Sequence, residues 1–326
     1  MTKGNFVISL DFEINWGVWD VFDFNSYKNN LLGVRHVIPR MLDLFKKYEI
    51  NATFATVGFL FFNDKEELIA GLPERKPQYS NPHISPYISQ LQKIGRNEKE
   101  DLYHFAPSLI ELIKHSGQEI GCHTFSHYYC LEKGQTIDDF KEDLKAARKI
   151  AEKRNISITS FVFPRNQYNE SYLKACKEQG ILSYRGNEKS WLFTSNNFGK
   201  STLYRRPFRL LDAYINLSGH NCYSEEYMKS SDPINIPGSR FLRPFSPRLA
   251  FLENMRLKRI TESMVYAAKN GLTYHLWWHP HNFGINIDKN FSFLENILKH
   301  FTLLSRQYDF KSVSMGQLAI ALKSQP

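Results

Sequence analysis

Residues 119–127 read Glu119-Ile120-Gly121-Cys122-His123-Thr124-Phe125-Ser126-His127. Glu119 to Gly121 has the pattern of a short strand, and two histidines four residues apart follow it directly. The arrangement recurs twice. A strand from Phe6 to Leu10 ends at Asp11-Phe12-Glu13, and a strand from Thr273 to Trp278 runs into His279-Pro280-His281. Parallel α/β folds gather their active sites where strands end and loops begin, so this shared placement matters more than any one cluster.

The intervening segments alternate with these strands. Val34, Val37, Ile38, Met41, Leu42 and Phe45 lie on one helical face within Gly33–Lys47. Ala52 to Val57 reads as a strand closed by Gly58, and Ala106 to His115 as a helix with Gly117 just past its end. Thr136, with Asp139 three residues on, resembles a capping box that opens a helix. Further strands are expected at Ser160–Phe163 and Phe310–Val313, and further helices at Ser171–Glu178, 256–270, 289–304 and the C-terminus. Such alternation predicts parallel βα units in one domain spanning 1–326. Two stretches interrupt it. Residues 73–100 hold four prolines and read as a surface excursion, a lid over a site. Residues 187–250 are rich in Asn, Ser, Pro and Arg; they show no assignable element and read as an insertion shaping specificity.

Composition narrows the function. With 326 residues, 42% of them hydrophobic, the chain can bury a large core. Lys and Arg number 42 against 33 Asp and Glu, a balance of +9 that favours anionic partners. The charge is scattered, with no basic run of the kind that marks a nucleic-acid arm. Cys122, Cys130, Cys176 and Cys222 form no CxxC pair, which argues against a zinc ribbon or thioredoxin-like motif; Cys122 and Cys130 read as small buried residues. The N-terminal apolar run is broken by acids, and no stretch of about 18 apolar residues occurs. A soluble, cytoplasmic protein without a membrane span is expected, its oligomeric state open.

Each cluster has a chemical and a bland reading. If His123 opens a helix, it and His127 project from one side about a turn apart, suiting two ligands of one metal; HxxxH pairs are also often merely solvated. Asp11 and Glu13, two apart in a strand, face the same way. Two such carboxylates repel unless a cation or shared proton relieves them, or they are simple caps. His279, beside Trp277 and Trp278, suits a general acid or a hydrogen-bonded core histidine.

Together the clusters resemble the polysaccharide deacetylase (NodB-homology) family, in that family's order. Ser9-Leu10-Asp11-Phe12-Glu13 stands where the family usually reads Thr-Phe-Asp-Asp. His123-Thr124-Phe125-Ser126-His127 matches its His-Ser/Thr-x-x-His motif, and Leu276-Trp277-Trp278-His279-Pro280 its Leu-x-x-His-Pro motif. The resemblance implies a distorted (β/α) barrel with fewer than eight strands and long loops on its active-site face. It also implies a metal-dependent amide hydrolase that removes an N-acyl group, N-acetyl above all, from an amino sugar. In it Asp11 is the general base, His123 and His127 are metal ligands and His279 is the general acid. The implied cofactor is a divalent ion, zinc first, with cobalt, nickel and ferrous iron as alternatives.

The chain departs from the family pattern twice. Phe12 occupies the place of the metal-binding Asp, so Glu13 is expected to supply that carboxylate. Arg165 follows Pro164 instead of preceding a proline pair, and is expected to contact Asp11 or an anionic part of the substrate, with the Arg165–Tyr168 turn as oxyanion site. Tyr168, Trp278 and Arg206 are the expected substrate contacts. The substrate is expected to be a nucleotide- or lipid-linked precursor of a surface polysaccharide such as O-antigen, its diphosphate read by Arg165, Arg185, Arg206 and Arg209. Competing readings are a ureide hydrolase on the same fold and a carbohydrate-binding protein without activity. A nucleotide hydrolase built on Gly199-Lys200-Ser201 is disfavoured, because Thr194 stands where its first glycine belongs.

Overall fold

The computed structural model describes residues 4–190, 192–193 and 205–324; Gly199-Lys200-Ser201 lies outside them. The strands are β1 (Gly4–Phe12), β2 (Ala52–Thr56), β3 (Glu119–Cys122), β4 (Ser160–Phe161), β5 (Ser183–Tyr184), β6 (Ile234–Asn235), β7 (Arg240–Phe241), β8 (Thr273–Trp278) and β9 (Phe310–Ser312). They form one sheet in the order β6-β5-β4-β3-β2-β1-β8-β7, with β9 beside the start of β1. Every pairing is parallel.

The helices are α1 (Phe24–Lys47), α2 (Lys65–Ala70), α3 (Pro86–Ser89), α4 (Pro107–His115), α5 (Ile137–Lys153), α6 (Glu170–Glu178), α7 (Arg205–Leu211), α8 (Glu225–Lys229), α9 (Glu253–Asn270), α10 (Ile287–Gln307) and α11 (Met315–Lys323). The expected capping box at Thr136 and Asp139 opens α5. No helix of the described residues is long and apolar enough to cross a membrane.

One segment closes the sheet into a distorted barrel. β6 and β7 belong to a continuous run, 234–242, that changes partner halfway. The Ile236 and Gly238 amides donate to the Tyr184 and Gly186 carbonyls on the β5 side, and the Ser239 and Leu242 amides donate to His275 and Trp277 of β8. Eight strands therefore lie along the sheet path but make only seven staves, consistent with a barrel of fewer than eight. The absence of regular elements expected for 187–250 is corrected: β6, β7, α7 and α8 all lie there. Strands of two residues are too short for alternation to show in sequence.

Side-chain parity sorts the interior from the outer layer. Phe6, Ile8, Leu10 and Phe12 of β1, with Tyr274, Leu276 and Trp278 of β8, face outward into the main apolar core beneath α1, α5 and α10. Val7, Ala55, Val162 and Ile236 face inward, where Met315, Leu318 and Ala319 of α11 plug the N-terminal end of the barrel. The opposite, C-terminal end is left for polar groups. Residues 73–100 are not a detached excursion: Tyr79 is buried, and its hydroxyl accepts the Tyr129 amide at 2.9 Å, bracing the segment that follows His127.

Candidate metal centre and active site

Register brings the clusters together. Leu10 pairs with Trp278, so one further step sets Asp11 beside His279. Phe12 pairs with Thr56 and Thr56 with Cys122, so Glu13 and His123 stand level on either side of Val57.

Glu13, His123 and His127 are all buried, and their ligand atoms lie within 4.8 Å of one another. Glu13 Oε2 is 3.1 Å from His123 Nε2 and 3.2 Å from His127 Nε2. Donor atoms each about 2.1 Å from one ion stand roughly 3.0–3.4 Å apart at tetrahedral to octahedral angles. The orientation of the rings agrees. His123 Nδ1–H donates to the Val162 carbonyl at 2.8 Å, which turns Nε2 toward the carboxylate. Burial lowers the His127 pKa and Glu13 does not restore it, which keeps the ring in the neutral form a ligand requires. Burial raises the Glu13 pKa, but His279, His123 and His127 outweigh it and hold the carboxyl well below its ordinary range. This donor set fits a divalent ion.

The histidines do not sit on a helix as expected. Residues 123–129 form a loop in which Thr124 (φ +64°) and His127 (φ +56°) adopt the left-handed region. A β-branched residue is strained there, and other contacts must hold it. Thr124 Oγ1 accepts the Tyr128 amide at 2.7 Å, and Asp143 of α5 accepts the Phe125 and Ser126 amides at 2.7 and 3.1 Å. Gly17 makes room for Glu13, since a Cβ there would lie 1.9 Å from the Glu13 carboxyl carbon.

Asp11 stands beside this centre. His279 Nε2 is 3.7 Å from Asp11 Oδ2 and 3.5 Å from Glu13 Oε1. His279 Nδ1–H donates to Asn282 Oδ1 at 3.2 Å, leaving Nε2 toward the cleft. His281 packs face to face on His279 at 5.0 Å, and burial lowers its pKa to about 3.

The arginine at Asp11 is not Arg165. Arg185, only 1% exposed, reaches across the barrel from the end of β5 and donates to Asp11 Oδ1 and Oδ2 at 2.6 and 2.7 Å and to Ser9 Oγ at 3.0 Å. Burial raises the Asp11 pKa, but Arg185, His123 and His279 together hold it below the ordinary value. Arg165 lines the cleft, pairs with Asp20 and Glu132, and stacks 3.9 Å over Tyr129, whose ring packs against His127. With both its terminal nitrogens on Asp11, Arg185 is also removed from the arginines expected to read a diphosphate.

The expected substrate contacts change likewise. Trp278 is fully buried and stacks on Phe283 behind the sheet, because β8 parity turns it outward. Trp277 shares the inward face with His279; it lines the cleft and packs 4.0 Å from the Arg185 guanidinium. Tyr168 is half-buried, accepts the Asn187 amide at 3.2 Å and packs on Tyr184. Arg206 is exposed on α7, and neither residue is among those lining the cleft. Asn166 and Gly17 line it unforeseen. Counting two residues back from His279 would have found Trp277. Arg185 is expected from the sequence only as an anion reader, because the two-residue strand before it carries no local signal that would set it beside Asp11.

A seven-stave parallel barrel with a buried carboxylate–imidazole centre at its C-terminal strand ends defines the NodB-like class. The chain belongs to the polysaccharide deacetylase family, whose pattern matches residues 18–183. That stretch holds His123, His127 and Arg165; Asp11, Glu13, Arg185 and His279 lie outside it and are placed by the structure. No curated protein sequence matches the chain. Among solved structures, a protein of Mycobacterium smegmatis assigned as a polysaccharide deacetylase superposes with a TM-score of 0.63 at 13% identity, over 99% of this chain and 91% of its own. One from Pseudomonas aeruginosa PAO1, assigned likewise, gives 0.58 at 10% identity over 99% and 92%. PuuE allantoinase gives 0.57 at 10% over 98% and 90%. At these identities the likeness is one of fold.

Proposed function

We propose that the chain hydrolyses the N-acyl amide, N-acetyl above all, of an amino sugar carried on a nucleotide- or lipid-linked precursor of a surface polysaccharide, O-antigen among them. The observation that carries this reading is Glu13 Oε2 standing 3.1 and 3.2 Å from two imidazole Nε2 atoms. Glu13, His123 and His127 would hold a divalent ion, zinc first. When bound, that ion supplies Lewis acidity and lowers the pKa of water.

The rest is done by side chains. Asp11, kept ionised by Arg185, takes the proton from the attacking water. Arg185 is in turn fixed by Ser9 and by the Trp277 ring, so the carboxylate cannot rotate away. His279 offers a proton from Nε2 to the leaving nitrogen, since an amide leaves poorly unprotonated, while Asn282 holds its other nitrogen. Trp277 presents a ring face to the sugar. The whole chain acts as one unit. Four free cysteines, three of them buried, support work in the reducing cytoplasm.

Elemental analysis of the wild type and His123→Ala tests the centre. About one divalent ion per chain, lost in the variant, is expected. No metal in the wild type after loading with zinc, cobalt or nickel would overturn the hydrolase reading in favour of a binding protein. Turnover of ureides with none of N-acetyl amino sugars would move the activity to the non-sugar amides.

A further inference from the structure

The barrel rim beyond β7 exposes apolar side chains and guanidinium groups together. β7 ends at Phe241, whose ring centroid is 5.7 Å from that of His279. Two residues on, Arg243 Nη2 donates to the Arg209 carbonyl at 3.5 Å, tying α7 to the rim of the cleft. The Arg243 carbonyl accepts from Arg256, tying in the Pro247–Leu252 turn and the start of α9. Phe208, Leu210 and Leu211 on α7, Ile215 and Leu217 in the loop after it, and Phe251 on the turn are 38–79% exposed. Seventeen large apolar side chains are exposed among the described residues, and five of them fall between 208 and 217. Isolated exposed apolar residues are ordinary; a concentration like this marks an interaction surface. Val21 and Phe22, also exposed, follow β1 and lie at the same end of the barrel.

The charge here is one-sided. Asp212 is taken by Arg240 and Arg259, and Glu253 by Arg256. Arg206, Arg209 and Arg243 have no carboxylate within 4.0 Å among the described residues. The remaining residues of the chain include no Asp or Glu that could supply one. Burial and the neighbouring Arg256, Arg240 and Arg209 hold the Arg243 pKa below its usual value against the opposing pull of Tyr214.

Apolar side chains interleaved with unpaired cations match the acyl and headgroup layers of an anionic bilayer. A second copy of the chain fits worse, because a two-fold contact would set these arginines against themselves. We infer that α7 and the Pro247–Leu252 turn dock on an anionic phospholipid surface, with the cleft opening beside it. The consequence that the amino sugar arrives on a lipid phosphate rests on the hydrolase reading; the docking itself does not.

The test is sedimentation of the full chain with vesicles of phosphatidylcholine containing phosphatidylglycerol, against phosphatidylcholine alone. The wild type is expected to bind the anionic vesicles and largely lose that binding in high salt. Phe208→Ser/Leu211→Ser is expected to bind about tenfold more weakly, and Arg206→Glu several-fold more weakly. Ile320→Ser, at a position more exposed than Phe208 or Leu211 but at the α11 end, should bind as wild type. If circular dichroism shows the double variant misfolded, Phe251→Ser takes its place. Failure of the wild type to bind anionic vesicles, or undiminished binding by the rim variants, would overturn the inference. So would a wild-type dimer that ignores vesicles and becomes monomeric in the rim variant. Metal content of the same samples reports on the hydrolytic centre separately.

Discussion

Asp11 and Asp143 are the same residue at nearly the same burial, 3% and 1% exposed, on opposite sides of one site. Their titrations move in opposite directions. Burial raises both. At Asp11 it is overcome by the Arg185 guanidinium, with His123 and His279 behind it, and the carboxyl stays below its ordinary value. Asp143 meets only dipoles, the Phe125 and Ser126 amides and the Ser126 hydroxyl, and burial carries it to about 6. At these two residues the facing guanidinium decides the sign, and the three hydrogen bonds to Asp143 do not offset its burial. The first aspartate is thereby held ionised, and the second clasps the loop that carries His123 and His127.

The comparison can be broken most forcefully at Asp11. Asp11→Asn keeps the shape and removes the proton acceptor, so turnover should fall roughly 10²–10⁴-fold with metal content unchanged. Full activity in that variant would remove Asp11 as the base. Arg185→Met leaves a buried carboxylate alone and should cost about 3–5 kcal/mol in urea unfolding. Burial would then be opposed only by His123 and His279, so the Asp11 pKa should rise and the acidic limb of the pH–rate profile should move to higher pH. Adding Asp11→Asn to that variant should restore much of the lost stability; a double variant as unstable as the sum of the two singles would show that the pair is not coupled.

Glu13→Gln tests the neighbouring acid, whose low pKa is tied to the imidazoles. Metal affinity should drop at least about a hundredfold, and unchanged occupancy by elemental analysis would reject Glu13 as a ligand.

The mildest test sharpens the Asp143 side. Its folded pKa of about 6 exceeds the ordinary 3.8. The folded chain therefore holds that proton more tightly than the unfolded one, and this group's contribution to stability falls as pH rises from about 4 to about 6 and is level above. Relative to wild type, Asp143→Asn should lack that decline, a difference of no more than roughly 2–3 kcal/mol. A difference curve flat across that window would mean that the three donors, not burial, set the titration.

Much of the site was legible because strand parity is local. Asp11 and Glu13 share a face by their spacing, and His279 follows a strand whose register meets β1. The same rule, applied one step further, separates Trp277 from Trp278. Thr136 and Asp139 were likewise readable, since a capping box spans only four residues. The loop carrying His123 and His127 was not, because two left-handed residues hold a conformation that local preference opposes and that α5 and residues 73–100 impose.

The sequence by itself therefore determined the alternation of strands and helices, the placing of three chemical clusters at strand ends, and the family. Tertiary structure alone decided which arginine serves Asp11, 174 residues away, because that depends on which stave lies across the barrel. It also decided how the barrel closes, through one run that pairs with β5 and then β8. Strands of two residues carry no periodic signal of their own; they exist because the neighbouring staves offer them hydrogen bonds.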